Sequence, residues 1–156
     1  AGSEKKGIAN LEDNIFKGSI CIITPTIKTS RRTLNKVKLL WKKLGAKIVI
    51  LSAKKHDQAL AFTSHLPHAV AFSLMNSIPN SCLGLSSSGL SDTTRISGSD
   101  AGLWSEIFLS NRINLLADLS IFQAKLSALK FALESKNKRR LRKILLLARK
   151  KREKLG

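Results

Sequence analysis

A chain of 156 residues can bury the core of one ordinary domain, or of a domain tail joined to a compact second one, and excludes two full domains. Its apolar fraction of 43% is that of a globular protein, and two distant cysteines, Cys21 and Cys82, exclude a disulfide framework and a cysteine zinc site while fitting a reducing cytosol. The formal charge is +18, and more than half of it lies in 136–156, where eleven basic residues face only Glu153; such a segment attracts polyanions in a salt-dependent way.

Residues 1–17 are polar and open with no helix or strand start. The run Ser19-Ile20-Cys21-Ile22-Ile23-Thr24, closed by Pro25, predicts a buried strand. From Ser30 to Leu44 the apolar residues Leu34, Val37, Trp41 and Leu44 recur at helical spacing, and Gly45 stands where a helix ends. Lys47 to Leu51 predicts a second buried strand, so 19–51 reads as a β-α-β unit of a parallel sheet. One such unit does not make a stable sheet alone.

After Ser52 the pattern turns helical. A helical run over 55–78 is broken at Pro67, and the longest apolar stretch, Ala59 to Ile78, is interrupted by His65, Pro67, His68 and Asn76, which excludes a membrane span. Residues 80–91 predict a Ser/Gly-rich loop. A long helix over about 100–135, with Ser99 as its N-cap, follows from the stripe Trp104, Phe108, Asn111, Leu115, Leu119, Phe122, Leu126, Leu129 and Leu133. It would extend about 50 Å at ~1.5 Å per residue. That length predicts a partner subunit packed along it, with a monomeric bundle as the other reading. A last, basic helix over 137–154 carries the small apolar stripe Leu141, Ile144, Leu145 and Ala148.

Two stretches can carry chemistry. In Thr63-Ser64-His65-Leu66-Pro67-His68, two histidines three apart share one helix face, and Pro67 removes a backbone donor and frees carbonyl groups. Three readings stay open: a metal site, which lacks a third ligand or an HExxH pattern; core histidines; and an anion or substrate site built on imidazole hydrogen bonds. In Ser91-Asp92-Thr93-Thr94-Arg95, the arginine can present a planar fork to a carboxylate and Asp92 can orient it, although a surface ion pair uses the same residues. Trp104 by itself reads as a core residue before a ligand contact.

The stretches 1–7 (Ala-Gly-Ser-Glu-Lys-Lys-Gly), 23–26 (Ile-Thr-Pro-Thr), 64–68 (Ser-His-Leu-Pro-His), 92–96 (Asp-Thr-Thr-Arg-Ile) and 99–104 (Ser-Asp-Ala-Gly-Leu-Trp) together resemble, in order and spacing, the prephenate/arogenate (cyclohexadienyl) dehydrogenase family. The resemblance covers 1–147. It implies an oxidative decarboxylation of prephenate or arogenate in tyrosine biosynthesis. Hydride passes to NAD or NADP while the ring carboxylate leaves as carbon dioxide.

The resemblance also implies site residues: Arg95 paired with a substrate carboxylate, His65 and His68 lining the pocket, Trp104 near the substrate side chain, Asp92 beside the arginine, and Ser3 and Glu4 at the border of substrate and cofactor. Glu4 is a candidate partner for Arg95 when the pocket is empty. The family's catalytic histidine lies in a His-Pro pair just upstream of the position of Ala1, so no catalytic residue is expected here. No G-x-G-x-x-G turn occurs in the chain, and the main dinucleotide site is expected to be missing with it.

The expected fold is mainly α: the end of a Rossmann-type α/β sheet over 1–52, then an all-helical substrate-binding and dimerisation domain over 53–156. Expected partners are prephenate or arogenate and a second copy, in the cytoplasm, with no membrane and no metal. Two rivals remain, a basic helical module that binds nucleic acid or another polyanion, and a non-catalytic dimerisation domain.

Overall fold

The computed structural model describes residues 15–155. It is mainly helical with a small parallel β element, as expected. Strand β1 (Ile20–Ile23) pairs in parallel with β2 (Lys47–Ile50), Ile20 opposite Lys47 and Ile23 opposite Ile50. Between them runs α1 (Arg31–Lys43), whose N-cap Ser30 accepts a hydrogen bond from the Thr33 amide at 3.0 Å. Gly45 ends this helix at φ +82°, and a Cβ there would lie 3.1 Å from the Lys17 backbone, so glycine is required both by conformation and by space. Phe16 meets Trp41 edge to face at 5.1 Å and covers one side of the unit.

The expectation of buried strands fails in part. Ile20 is 65% exposed, and Val49 and Ile50 are also open. Two strands crossed by one helix leave one face and the outer edges without cover.

The helical part begins with α2 (Ala53–Leu60), capped by Ser52, and continues without a break through a π-helical turn (Ala61–His65) into α3 (Leu66–Ser77). The predicted break at Pro67 is therefore a widened turn. The Leu66 amide donates to the Ala61 carbonyl, which places Pro67, with no N–H to offer, in the first turn of α3. The predicted loop 80–91 is also corrected. It contains a 3-10 turn (Asn80–Leu85) and most of α4 (Ser88–Thr94), which a second 3-10 turn (Arg95–Gly98) follows. Packing of α3 on α4 and on the Arg95–Gly98 turn overrides the weak helical preference of Ser and Gly.

The predicted long helix is two helices. α5 (Ala101–Ser110) starts at Asp100, whose carboxylate accepts from the Leu103 amide at 2.8 Å, rather than at Ser99. It ends at Asn111 (φ −113°, ψ 26°), and α6 (Arg112–Glu134) begins one residue later. An α7 helix (Lys138–Arg152) follows, with Asn137 as N-cap.

The chain divides into two compact units, one reaching to Asn114 and one from Leu115 onward. In the second, Leu115, Asp118 and Ala132 are buried, and the Arg140 guanidinium lies 4.9 Å from the Phe131 ring centre. The α6–α7 turn places Lys136 at φ 48°. Among the described residues no helix is long and apolar enough to cross a membrane.

Candidate functional site

The site is assembled by the π turn, α3, α5 and the Asn111 junction, all within the first unit. Because the π turn and α3 are continuous, His65 and His68 sit one turn apart. His65 is 8% exposed, and His68 is half-buried. The His68 ring lies flat on the Trp104 indole, with centroids 3.4 Å apart and planes at 19°. His65 meets the same indole edge to face at 6.2 Å, and Phe108 extends the cluster at 5.5 Å.

Hydrogen bonds fix the two rings differently. His68 Nδ1 lies 2.9 Å from the Ser64 carbonyl, which only accepts, so Nδ1 carries the proton and Nε2 keeps its lone pair in the neutral ring. His65 Nδ1 lies 3.2 Å from the Asn111 amide nitrogen, which only donates, so the proton of the neutral ring is on Nε2. Burial holds the His65 pKa below its usual value, reinforced by His56 and His68 and opposed by Asp57. One ring thus offers a donor at Nε2 and the other an acceptor at Nε2.

A cavity of about 330 Å³ opens beside Trp104, lined also by Phe72, Ser73, Asn76, Ser105 and Phe108. Asp92 lies on α4 and Arg95 on the first residue of the 3-10 turn after it, and both side chains are exposed. The turn itself is held by buried Thr94, whose hydroxyl donates to the Leu90 carbonyl, and by Ser97, which donates to the Thr94 carbonyl. Since this turn packs on α3, the arginine segment and the histidine helix belong to one packed layer.

Of the residues singled out in the sequence, the structure brings His65, His68 and Trp104 into direct contact. Ser3 and Glu4, with the Glu4–Arg95 pairing, lie outside the described residues. Asn111 was missed as a functional candidate, although a polar residue inside an otherwise apolar stripe was a signal. His56 was missed as well. It bonds Asp57 at 2.9 Å and carries no sequence pattern of its own. Among the described residues no group of three His, Cys, Asp or Glu gathers as a metal site.

The described residues do not build a dinucleotide-binding turn of their own. The turn from β1 into α1 contains Pro25 and fully exposed Ile27 but no glycine, and the two glycines with positive φ, Gly18 before β1 and Gly45 after α1, pair with each other at the opposite end of the unit. That turn cannot bring backbone amides close to a pyrophosphate as a glycine-rich one does.

Residues 1–50 match the nucleotide-binding domain of prephenate dehydrogenase, and residues 52–147 match its dimerization domain. Cyclohexadienyl dehydrogenase of Zymomonas mobilis is 31% identical over 144 residues, covering 88% of this chain and 49% of that protein. The structure of prephenate dehydrogenase from A. aeolicus with hydroxyphenyl propionate and NAD+ superposes with a TM-score of 0.88 at 34% identity, over 99% of this chain and 56% of that one. Arogenate dehydrogenase from Synechocystis gives a TM-score of 0.84 at 28% identity, over 99% and 59%. The chain thus spans about half the length of the relatives it matches. By the agreement of both parts with one family, in order and over nearly every residue, this chain belongs to the prephenate dehydrogenase family.

Proposed function

We propose that the enzyme carrying this chain oxidises and decarboxylates prephenate or arogenate with NAD or NADP, as a step of tyrosine biosynthesis in the cytoplasm. The observation that carries the reading is the contact of His65, His68 and Trp104, two rings with complementary Nε2 atoms on one aromatic platform. The relative from A. aeolicus was solved with hydroxyphenyl propionate, a phenol ring with a carboxylate tail, and this cluster suits such a ligand.

In this reading His65 donates from Nε2 to an anionic or hydroxyl oxygen, and His68 accepts from a substrate donor. Trp104 sets the plane of the His68 ring. Arg95, on the turn packed against α3, pairs with a substrate carboxylate, with Asp92 beside it; Ser3 and Glu4 border the substrate. NAD or NADP supplies the hydride acceptor, and no step is assigned to the β1–α1 turn. The chain divides in this reading into a nucleotide-domain part over 1–52 and a helical substrate-binding and dimerisation domain over 53–156.

The second copy of a homodimer is the cover for α6. Ile113, Leu116, Ile121, Leu126, Phe131 and Leu133 are all exposed on it, more apolar surface than a solvated helix ordinarily leaves open. The polyanion-module rival has no support from the family match. Initial rates with prephenate and with arogenate, each offered with NAD+ and with NADP+, test the function on the full-length enzyme. Turnover of one substrate is expected, and no nucleotide reduction in any of the four mixtures would refute it.

A further inference from the structure

Asn111 does two things at one position. Its backbone closes α5, its amide donating to the Ile107 and Leu109 carbonyls, and its side chain reaches back to the start of the histidine helix. One N–H of the carboxamide donates to the Asp57 carbonyl at 2.8 Å, and the other faces His65 Nδ1 at 3.2 Å. The carboxamide oxygen accepts from the Asn114 side-chain amide at 2.7 Å. These contacts leave no freedom to flip. A flipped amide would set its oxygen against the Asp57 carbonyl and its nitrogen against the Asn114 donor.

We infer that Asn111 is a positioning residue that holds His65 as the neutral Nε2–H tautomer, so that His65 presents a hydrogen-bond donor, and not a base, to the substrate. The part about substrate rests on the function proposed above; the tautomer does not. An amide donor facing Nδ1 opposes protonation there. The charged neighbours of His65 act around this clamp: His56 and His68 disfavour its cationic form, and Asp57, tied to His56 at 2.9 Å, favours it. Its trace in the sequence is a single polar residue in an otherwise apolar stripe.

The test is long-range proton–nitrogen NMR of the chain labelled at histidine, recorded across a pH titration for the parent, Asn111→Asp and Asn114→Ala. The parent is expected to show His65 protonated at Nε2 alone. Asn111→Asp turns the contact into a carboxylate facing Nδ1, so Nδ1 gains a proton and the His65 midpoint rises by about 1 unit or more. Asn114→Ala, which removes only the anchor of the amide oxygen, is expected to fold normally and to populate both tautomers.

The clamp is refuted if His65 keeps one tautomer and one midpoint in Asn114→Ala and in a folded Asn111→Asp. It is refuted equally if the parent ring is protonated at Nδ1. In the full-length enzyme the acid limb of kcat/KM should move with the NMR midpoint in Asn111→Asp. A parent without turnover would sink the proposed function and leave the tautomer result standing.

Discussion

Replacing Trp104 by alanine should damage the site and the first unit together, by an amount its contacts allow to be worked out. A fully buried tryptophan truncated to alanine costs about 3–5 kcal/mol, and Trp104 is half-buried, which brings the packing loss to about 2 kcal/mol. Its flat stack on His68 and its tilted contact with Phe108 are each worth roughly 0.5–1.5 kcal/mol beyond burial, so together they add at least about 1. The expected total is about 3 kcal/mol, or roughly 6–12 °C in Tm for a chain of this size. Trp104→Phe keeps a ring under His68 and should cost about 1 kcal/mol, since it loses mainly area. Urea titration followed by circular dichroism at 222 nm measures both variants, and the fluorescence of Trp41, on α1, reports the β-α-β unit separately. A loss below about 1 kcal/mol for Trp104→Ala, or equal losses for both variants, would refute the platform role.

In the full-length enzyme, Arg95→Leu should weaken apparent substrate binding by about 2–4 kcal/mol, because a carboxylate loses a bidentate partner. The loss should fall mainly on KM, while removing Lys150, Lys151 and Arg152 should leave KM within about twofold. Steady-state kinetics of both variants decides, and an unchanged KM for Arg95→Leu removes it from the site. Leu126→Asp should yield a folded monomer by light scattering, since Leu126 is 53% exposed in the single chain and an unpaired charge in an apolar interface costs several kcal/mol. An intact dimer would place the interface elsewhere. The pKa of His65 is depressed on folding, so the unfolded chain binds more protons below the ordinary value of 6.5. Its contribution to stability is therefore complete above that pH and declines as pH falls through the window beneath it. Urea midpoints that do not drop between pH 7.5 and pH 5.5 would contradict a buried neutral ring.

The parts of the fold that were legible in the sequence are those with local signals. The β-α-β unit was placed within about a residue because Pro25, Ser30 and Gly45 each end or start an element by their own backbone chemistry. The π turn left only Pro67 as its trace, which shows that donors are missing but not whether the helix stops or widens. The split at Asn111 was hidden for a different reason. The contact stripe of α5 continues into α6 with the same spacing, so periodicity reads one helix where a single C-cap residue separates two. The exposure of Ile20 and Val49 shows the reverse error, in which an apolar run was read correctly as strand but its cover lies in neither α1 nor β2.

Among the candidate site residues, the histidine pair was singled out by its spacing, and spacing alone left metal, core and substrate readings open. The hydrogen bonds bear on the metal reading. A histidine that ligates a metal through Nε2 must leave Nδ1 as the protonated atom, usually donating to a carbonyl or carboxylate. His68 meets that condition through the Ser64 carbonyl, but His65 has the opposite arrangement, with Nδ1 receiving a proton donor from Asn111. For His65 to bind a metal through Nε2, either the Asn111 amide would have to reverse against the Asp57 carbonyl and the Asn114 amide, or Nδ1 would lose its hydrogen bond. The pair therefore supplies one potential ligand where a site needs at least three. A core role accounts for the burial of His65, while half-buried His68 lies against an indole that also borders an open cavity.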